Sequence, residues 1–284
     1  MILSKKVINA QALERNEHLF KCPVCSAGME IVEQSKMVCT ENHSFDLSKA
    51  GYVNLSSHIH VTKYDKSLFS ARKKVIDGGF FEPLLDYIYG AVLPQGSGTI
   101  LDAGCGEGSQ LAAILQRLPD DVTGVGIDLA KEGIATAAKE HPGNIWCVAD
   151  LANCPFGDSV FNVILNVLSP ANYAEFLRLL KSEGLFLKVI PGEDYLKELR
   201  AIFYDDPKGQ KDSDHVMRFE QHFESVQTDR IAYEFPLDKE LLAPLIRMTP
   251  LSWGASPEKL EQALSMDIPM ITVDFTVMSG VKKK

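Results

Sequence analysis

The run Asp102-Ala-Gly104-Cys-Gly106-Glu107-Gly108 follows an apolar segment and opens a helical pattern, and few short stretches restrict a fold more. Gly104 and Gly106 let the backbone turn sharply and approach a ligand closely, because a side chain at either position would fill the ligand's space. A glycine motif alone is weak, so its surroundings decide. A second apolar strand, Thr123 to Ile127, ends at Asp128. That acid stands about twenty residues past Gly108, the separation of a carboxylate that accepts hydrogen bonds from ribose hydroxyls. A third strand, Ile145 to Ala149, ends at Asp150. Acid-tipped strands with helices between them predict a doubly wound, Rossmann-like α/β sheet that binds its ligand at the carboxyl ends of the strands.

The acids also select the ligand. A dinucleotide sets its pyrophosphate on a helix N-terminus, where negative side chains are unwelcome, yet Asp102 precedes these glycines and Glu107 sits among them. Both would repel a diphosphate. They suit S-adenosylmethionine, which lacks phosphate and carries an amino group and a sulfonium, so Asp102 and Glu107 read as partners of its cationic end or its ribose.

Near the start of the chain, Cys22-Pro-Val-Cys25 is followed by Cys39 and His43, giving CxxC and CxxxH knuckles. Four such ligands make a closed tetrahedral zinc site, structural because no position is left to activate water. A redox CxxC would need a thioredoxin-like context and would have no use for Cys39 and His43. A segment this short buries too little apolar surface to fold unaided, so the metal supplies much of its folding free energy. Lys21, Lys36 and Lys49 could touch phosphates, although acids balance bases in this part of the chain.

Three regions follow from these signals: residues 1–57 as a small zinc-binding module, 58–95 as a basic linker with helices, and 96–284 as the cofactor domain. Helical patterns cover Lys66 to Val75 and Phe81 to Val92. Further strands are expected at Val160 to Asn166, Leu185 to Ile190, Ala232 to Phe235 and Ile271 to Met278, with Lys239 to Met248 helical and Asp205 to Asp214 a polar loop. Asn166 and Ser169, after the fourth strand, fall at the mouth of the cleft. Asn166 could meet a nucleobase edge, and Ser169 or Asn172 could equally cap a helix.

A formal net charge of −9 argues against non-specific coating of nucleic acid. Charge is nevertheless uneven: Lys63, Lys66, Arg72, Lys73 and Lys74, with His58 and His60 nearby, oppose Asp65 alone between Gly51 and Val75. This stripe reads as an RNA-facing surface or as a solvated helix face. No apolar run is long enough to cross a membrane, the opening MILSKKVINA is too polar for a signal peptide, and Cys105, Cys147 and Cys154 are scattered singly. A cytoplasmic location is expected.

Zinc knuckles fused ahead of an S-adenosylmethionine domain resemble the RlmA family of bacterial 23S rRNA guanine-N1 methyltransferases. The likeness spans nearly the whole chain: Phe45-Asp-Leu-Ser-Lys49-Ala-Gly51-Tyr-Val-Asn-Leu55, the glycine turn, and Met248-Thr-Pro-Leu-Ser-Trp253 match its signatures. It implies a seven-stranded class I methyltransferase domain and a zinc module that helps to recognise RNA. The implied substrate is a guanine of hairpin 35 in domain II of 23S rRNA, near the drug-binding exit tunnel. The resemblance favours the subfamily that contributes to tylosin-type macrolide resistance, and it implies a homodimer with an RNA cleft between subunits. The matching cofactor positions are Gly106, Glu107, Phe81 before the first strand and Tyr195 after the fifth. Phe81 stands where proteobacterial members carry tyrosine and Tyr195 where they carry histidine. Stacking on adenine or packing around methionine survives both exchanges.

The implied reaction is an in-line displacement in which a guanine nitrogen attacks the sulfonium methyl group. Guanine N1 bears a proton, so a base or an O6-stabilising donor is required, and no residue announces itself as that base from sequence. Trp253 could stack on an extruded base or serve as a core or cap residue. Two other readings stand: a small-molecule methyltransferase, which leaves the zinc module without a use, and a zinc-dependent RNA-binding protein with a vestigial cofactor site, which the intact Asp102, Gly104, Gly106 and Asp128 oppose.

Overall fold

The structure is a computed structural model that describes residues 3–56, 64–205 and 213–282. Helix α1 (Lys5–Arg15), capped by Ser4, leads into a small antiparallel sheet of β1 (Met29–Val32), β2 (Lys36–Cys39) and β3 (Ser44–Asp46). After β4 (Val53–Asn54) come α2 (Lys66–Asp77) and α3 (Glu82–Val92). Asp65 caps α2 by accepting a hydrogen bond from the Leu68 amide, which fixes where that helix begins. His58, His60 and Lys63 of the basic stripe lie outside the described residues, as does most of the polar segment after Asp205.

The large sheet alternates with helices: β5 (Thr99–Ala103), α4 (Ser109–Leu115), β6 (Thr123–Asp128), α5 (Lys131–Glu140), β7 (Ile145–Val148), β8 (Phe161–Val167), α6 (Tyr173–Leu179), β9 (Leu180–Pro191) and α7 (Lys197–Phe203). Then come α8 (Ser213–Glu220), β10 (Phe223–Pro236), α9 (Lys239–Met248), α10 (Pro257–Ser265) and β11 (Met270–Lys282). The spatial order is β10-β11-β9-β8-β5-β6-β7-β4, with β4 to β9 parallel and β11 antiparallel to both neighbours. The order reverses at β5, which has β8 on one side and β6 on the other. A crevice at such a switch point is where a doubly wound sheet holds its ligand.

Seven of these strands form the expected class I sheet, and β4 adds an eighth at its edge by pairing with β7. Strand β10 is much longer than the sequence pattern predicts. It is an outer strand with polar residues along most of its length, and its pairing with β11 from Phe223 to Pro236 holds it extended. Periodicity cannot report a strand whose main stabilisation is a neighbour distant in sequence.

Both faces of the sheet are covered, as parallel strands require. Ile100, Val163, Leu165, Leu187 and Val189 pack under α3, α4 and α7. Leu101, Val125, Ile127, Ile164 and Phe186 face the other way, toward α1, α6 and the interior of the zinc module. Met29, Met37 and Leu47 therefore share one core with the sheet. Phe20 sits on Phe156 with ring centroids 5.1 Å apart, and the Lys21 amide donates to the Pro155 carbonyl. Among the described residues no helix is long and apolar enough to cross a membrane.

Candidate active site and metal centre

The ligating atoms of Cys22, Cys25, Cys39 and His43 all lie within 4.8 Å of one another. Cys25 Sγ is 3.6 Å from Cys39 Sγ, and His43 Nδ1 is 3.4 Å from Cys39 Sγ and 3.7 Å from Cys22 Sγ. A tetrahedron with zinc–sulfur bonds of about 2.3 Å has edges of about 3.7 Å, so the four groups fit a zinc ion. Local geometry makes the knuckles: Ser26 and Asn42 take left-handed conformations, and their amides donate to the carbonyls of Cys22 and Cys39.

At the carboxyl ends of β5, β6 and β7 lies a chamber of about 380 Å³ lined by Gly104, Gly106, Asp128, Asp150, Phe69, Arg72, Tyr64 and the segment 168–172. Gly104 has φ +94°, and a side chain there would strike Ser169. Asp128 Oδ2 accepts from the Gly106 amide at 2.9 Å and Oδ1 from the Ala130 amide at 2.7 Å. One carboxylate thus fixes the turn and still has lone pairs for ligand hydroxyls. Asp150 Oδ1 accepts from the Ala152 amide at 2.8 Å.

Asp102 and Glu107 are not part of this chamber's wall; they are buried beneath the turn. Glu107 meets Arg72, whose Nε lies 3.4 Å from Oε2, while Arg72 Nη2 donates to Gln110 Oε1 at 3.0 Å. The immediate partner of Glu107 is therefore this guanidinium, and any effect on a cationic ligand passes through it or through the field. Burial pushes Asp102 up to about 7, with Asp128 and Glu107 adding to the rise and Arg72 opposing it. Glu107 and Asp128 are also raised, chiefly by burial.

The donor set fits S-adenosylmethionine. Arg72 lines both chambers, and the network behind it is incomplete: Arg72 Nε, both Glu107 oxygens and Gln110 Nε2 are buried without hydrogen-bond partners, a cost that an anionic ligand group on the guanidinium would offset. Asp102, Glu107 and Asp128 surround one guanidinium, so their ionised forms leave a negative surplus that a sulfonium and an amino group would favour, and Arg72 offers a cation to the carboxylate.

A second chamber, about 510 Å³, shares Tyr64, Arg72 and the segment Leu168 to Ala171 with the first. Phe81 and Tyr195 line it, both packed on Phe275 at centroid distances of 5.8 and 5.2 Å. Both expected aromatic residues therefore stand in the second chamber. Lys188, Tyr173 and Arg218 complete much of its wall, with Arg218 Cζ 5.8 Å above the Tyr173 ring. Trp253 and Tyr64, both partly exposed, meet edge to face at 5.2 Å.

Asn166 is not available to a nucleobase. It is fully buried, its amide donates to the carbonyls of Ala103 and Pro170, and its Oδ1 accepts from Lys188. Asn172, not Ser169, caps α6. The basic stripe also divides: Arg72 turns inward, Lys73 pairs with Asp77, and Lys66 and Lys74 remain exposed. Lys21 pairs with Asp158. Sequence reasoning missed Arg72 and Lys188 as site residues, although each carried a signal. Arg72 falls on the apolar stripe Leu68, Phe69, Val75, Ile76 of its helix, and Lys188 is the single charge inside the apolar run Leu185 to Ile190.

Residues 20–56 match the family model described as RlmA, N-terminal, and residues 100–184 match the one described as methyltransferase domain. The Bacillus subtilis protein YxjB, whose name places it among 23S rRNA (guanine-N(1)-)-methyltransferases, is 40% identical over 274 residues, covering 93% of this chain and 97% of its own. The Streptomyces fradiae 23S rRNA (guanine(748)-N(1))-methyltransferase is 30% identical over 269 residues, covering 90% and 95%. Among solved structures, the YcgJ protein of Bacillus subtilis superposes with a TM-score of 0.50 at 15% identity, covering 70% of this chain and 98% of its own, and so supports the fold alone. Zinc knuckles, glycine turn and full-length similarity agree: the chain belongs to the RlmA family of 23S rRNA (guanine-N1)-methyltransferases, S-adenosylmethionine-dependent enzymes that carry a structural zinc ribbon.

Proposed function

We propose that the protein methylates N1 of a guanine in hairpin 35 of 23S rRNA, at the position equivalent to the guanine 748 named for the Streptomyces fradiae relative. The observation that carries this reading is the pair of chambers that meet at Tyr64, Arg72 and the segment Leu168 to Ala171. One is built for the donor, with Gly104, Gly106, Asp128 and Asp150 around adenosine and Arg72 toward the amino-acid end. Asp102 and Glu107 act on it from beneath the turn. The other, with Phe81, Tyr195, Tyr173 and Arg218, suits the methionine end and an extruded base. S-adenosylmethionine, when bound, supplies a methyl group activated by its sulfonium; the chain aligns acceptor and donor and excludes water.

A small-molecule acceptor would leave the ribbon docked on the sheet without a role. The zinc held by Cys22, Cys25, Cys39 and His43 keeps that ribbon folded against the domain, and the exposed Lys36, Lys49, Lys66 and Lys74 are candidates for phosphate contacts. The same reading carries a homodimer, a cytoplasmic location and a contribution to tylosin-type macrolide resistance. Incubating the protein with radiolabelled S-adenosylmethionine and either an unmodified domain II transcript or a cell metabolite pool tests it. Label is expected in the RNA; label in a metabolite alone overturns the proposal.

A further inference from the structure

Lys188 lies toward the carboxyl end of β9 on the face of the sheet shared by Phe186 and Ile190, and only 5% of it is exposed. Its Nζ donates to Asn166 Oδ1 at 2.6 Å and to the Ser169 carbonyl at 2.5 Å. Asn166 cannot turn its amide toward the lysine, because Nδ2 is committed to Ala103 and Pro170. Both contacts of Nζ are therefore fixed as acceptors. A neutral amine has two N–H bonds, and both are accounted for. The remaining tetrahedral position of the nitrogen carries the lone pair, and Lys188 is one of the residues that line the second chamber.

Among the described residues no carboxylate pairs with Lys188, which is unusual for a buried lysine. Burial without a counter-ion lowers its pKa to about 8. Arg72 and Arg218 line the same chamber, as do Tyr173 and Tyr195, whose phenols burial pushes up, together with Tyr64 and His215. None of these groups offers a negative charge that would raise the lysine back toward its ordinary value, so the free amine becomes the main form above about pH 8.

Resting on the assignment of guanine N1 as acceptor, we propose that Lys188, as the free amine, is the base that removes the N1 proton during methyl transfer. The N1–H bond breaks toward Nζ and its electron pair forms the N1–methyl bond. The sulfur–methyl bond breaks, and its pair returns to sulfur as a thioether. The positive charge that began on the sulfonium ends on the Lys188 ammonium, which releases its proton to solvent once the product leaves. Asn166 and the Ser169 carbonyl hold two hydrogens throughout, so they are positioning groups that keep the lone pair aimed at the base. Near pH 8 a lysine shifted toward neutrality is present as the free amine in a far larger fraction than an exposed one, which is what a general base requires.

The test uses the full chain with a domain II transcript, comparing wild type, Lys188→Met and His215→Ala. In the wild type the single-turnover rate is expected to rise with pH through an inflection near 8, as the amine loses its proton. In Lys188→Met the rate is expected to fall by about 10²- to 10⁴-fold, with the inflection lost and dissociation constants for S-adenosylmethionine and RNA within about threefold. His215→Ala is expected to keep the inflection. Side-chain NMR of lysine Nζ–Cε, assigned by the missing Lys188→Met resonance, is expected to titrate near 8 without any substrate. A Lys188→Met rate within threefold of wild type, or a Lys188 resonance that titrates above 10, would overturn the proposal while leaving the RNA assignment intact. A wild-type enzyme that labels no guanine N1 overturns that assignment and this role with it. Should Lys188→Met not fold, Lys188→Arg supplies the missing resonance for the assignment and the wild-type pH profile still decides: a profile flat from pH 7 to 9 contradicts the role.

Discussion

Arg72 and Glu107 face each other beneath the glycine turn with Nε 3.4 Å from Oε2, the glutamate almost wholly buried and the arginine turned inward from its helix. The pair links α2, which precedes β5 in the chain, to the turn that follows that strand. Removing one partner strands a charge. Arg72→Met is expected to lower the unfolding free energy by about 3 kcal/mol in urea titrations, and Arg72→Met with Glu107→Gln by clearly less, since no buried charge is then unpaired. Equal losses in the two variants would show that the pair contributes through packing alone.

Donor binding should depend on pH through Asp102. Its carboxyl is raised to about 7 by burial, so it is largely protonated at pH 6 and ionised at pH 8. A cationic ligand favours the ionised form, hence affinity rises with pH across that window. Calorimetry is expected to show S-adenosylmethionine binding roughly fivefold tighter at pH 8 than at pH 6, and Asp102→Asn is expected to flatten the difference.

The metal should matter beyond the ribbon. Met29, Met37 and Leu47 sit in the same core as Ile127 and Ile145, so losing the zinc loosens that face of the sheet as well. Cys39→Ser is expected to abolish bound zinc by elemental analysis and to lower the melting temperature by roughly 5–10 °C. Full zinc occupancy in that variant would refute the site.

Tyr64 lines both chambers, and Trp253 meets it edge to face to make an exposed aromatic pair, the surface on which we propose an extruded base stacks. Trp253→Ala is expected to weaken RNA binding by about 1–3 kcal/mol, or roughly 5- to 150-fold. Its melting temperature should change by less than about 2 °C, because the ring is a partly exposed one.

What could be read from sequence was what chemistry or local geometry confines to a few adjacent residues. The spacing of Cys22, Cys25, Cys39 and His43 is dictated by a tetrahedron, and the turn through Gly104 and Gly106 by backbone conformation. What escaped depends on partners far along the chain. Arg72 looked like one member of a basic stripe until α2 was packed against the turn, and Asn166 looked available until Lys188, twenty-two residues on, claimed its oxygen. The edge pairing of β4 with β7 and the length of β10 are likewise set by neighbours that periodicity cannot see.

One guanine N1 of hairpin 35 is the proposed acceptor of the methyl group. A methyl group at N1 blocks the pairing edge of guanine and halts reverse transcription, so primer extension over domain II after treatment with the protein and S-adenosylmethionine is the most direct test. One new, donor-dependent stop is expected, one nucleotide 3′ of a hairpin 35 guanine. An unchanged extension profile in the presence of protein that binds the donor would contradict it.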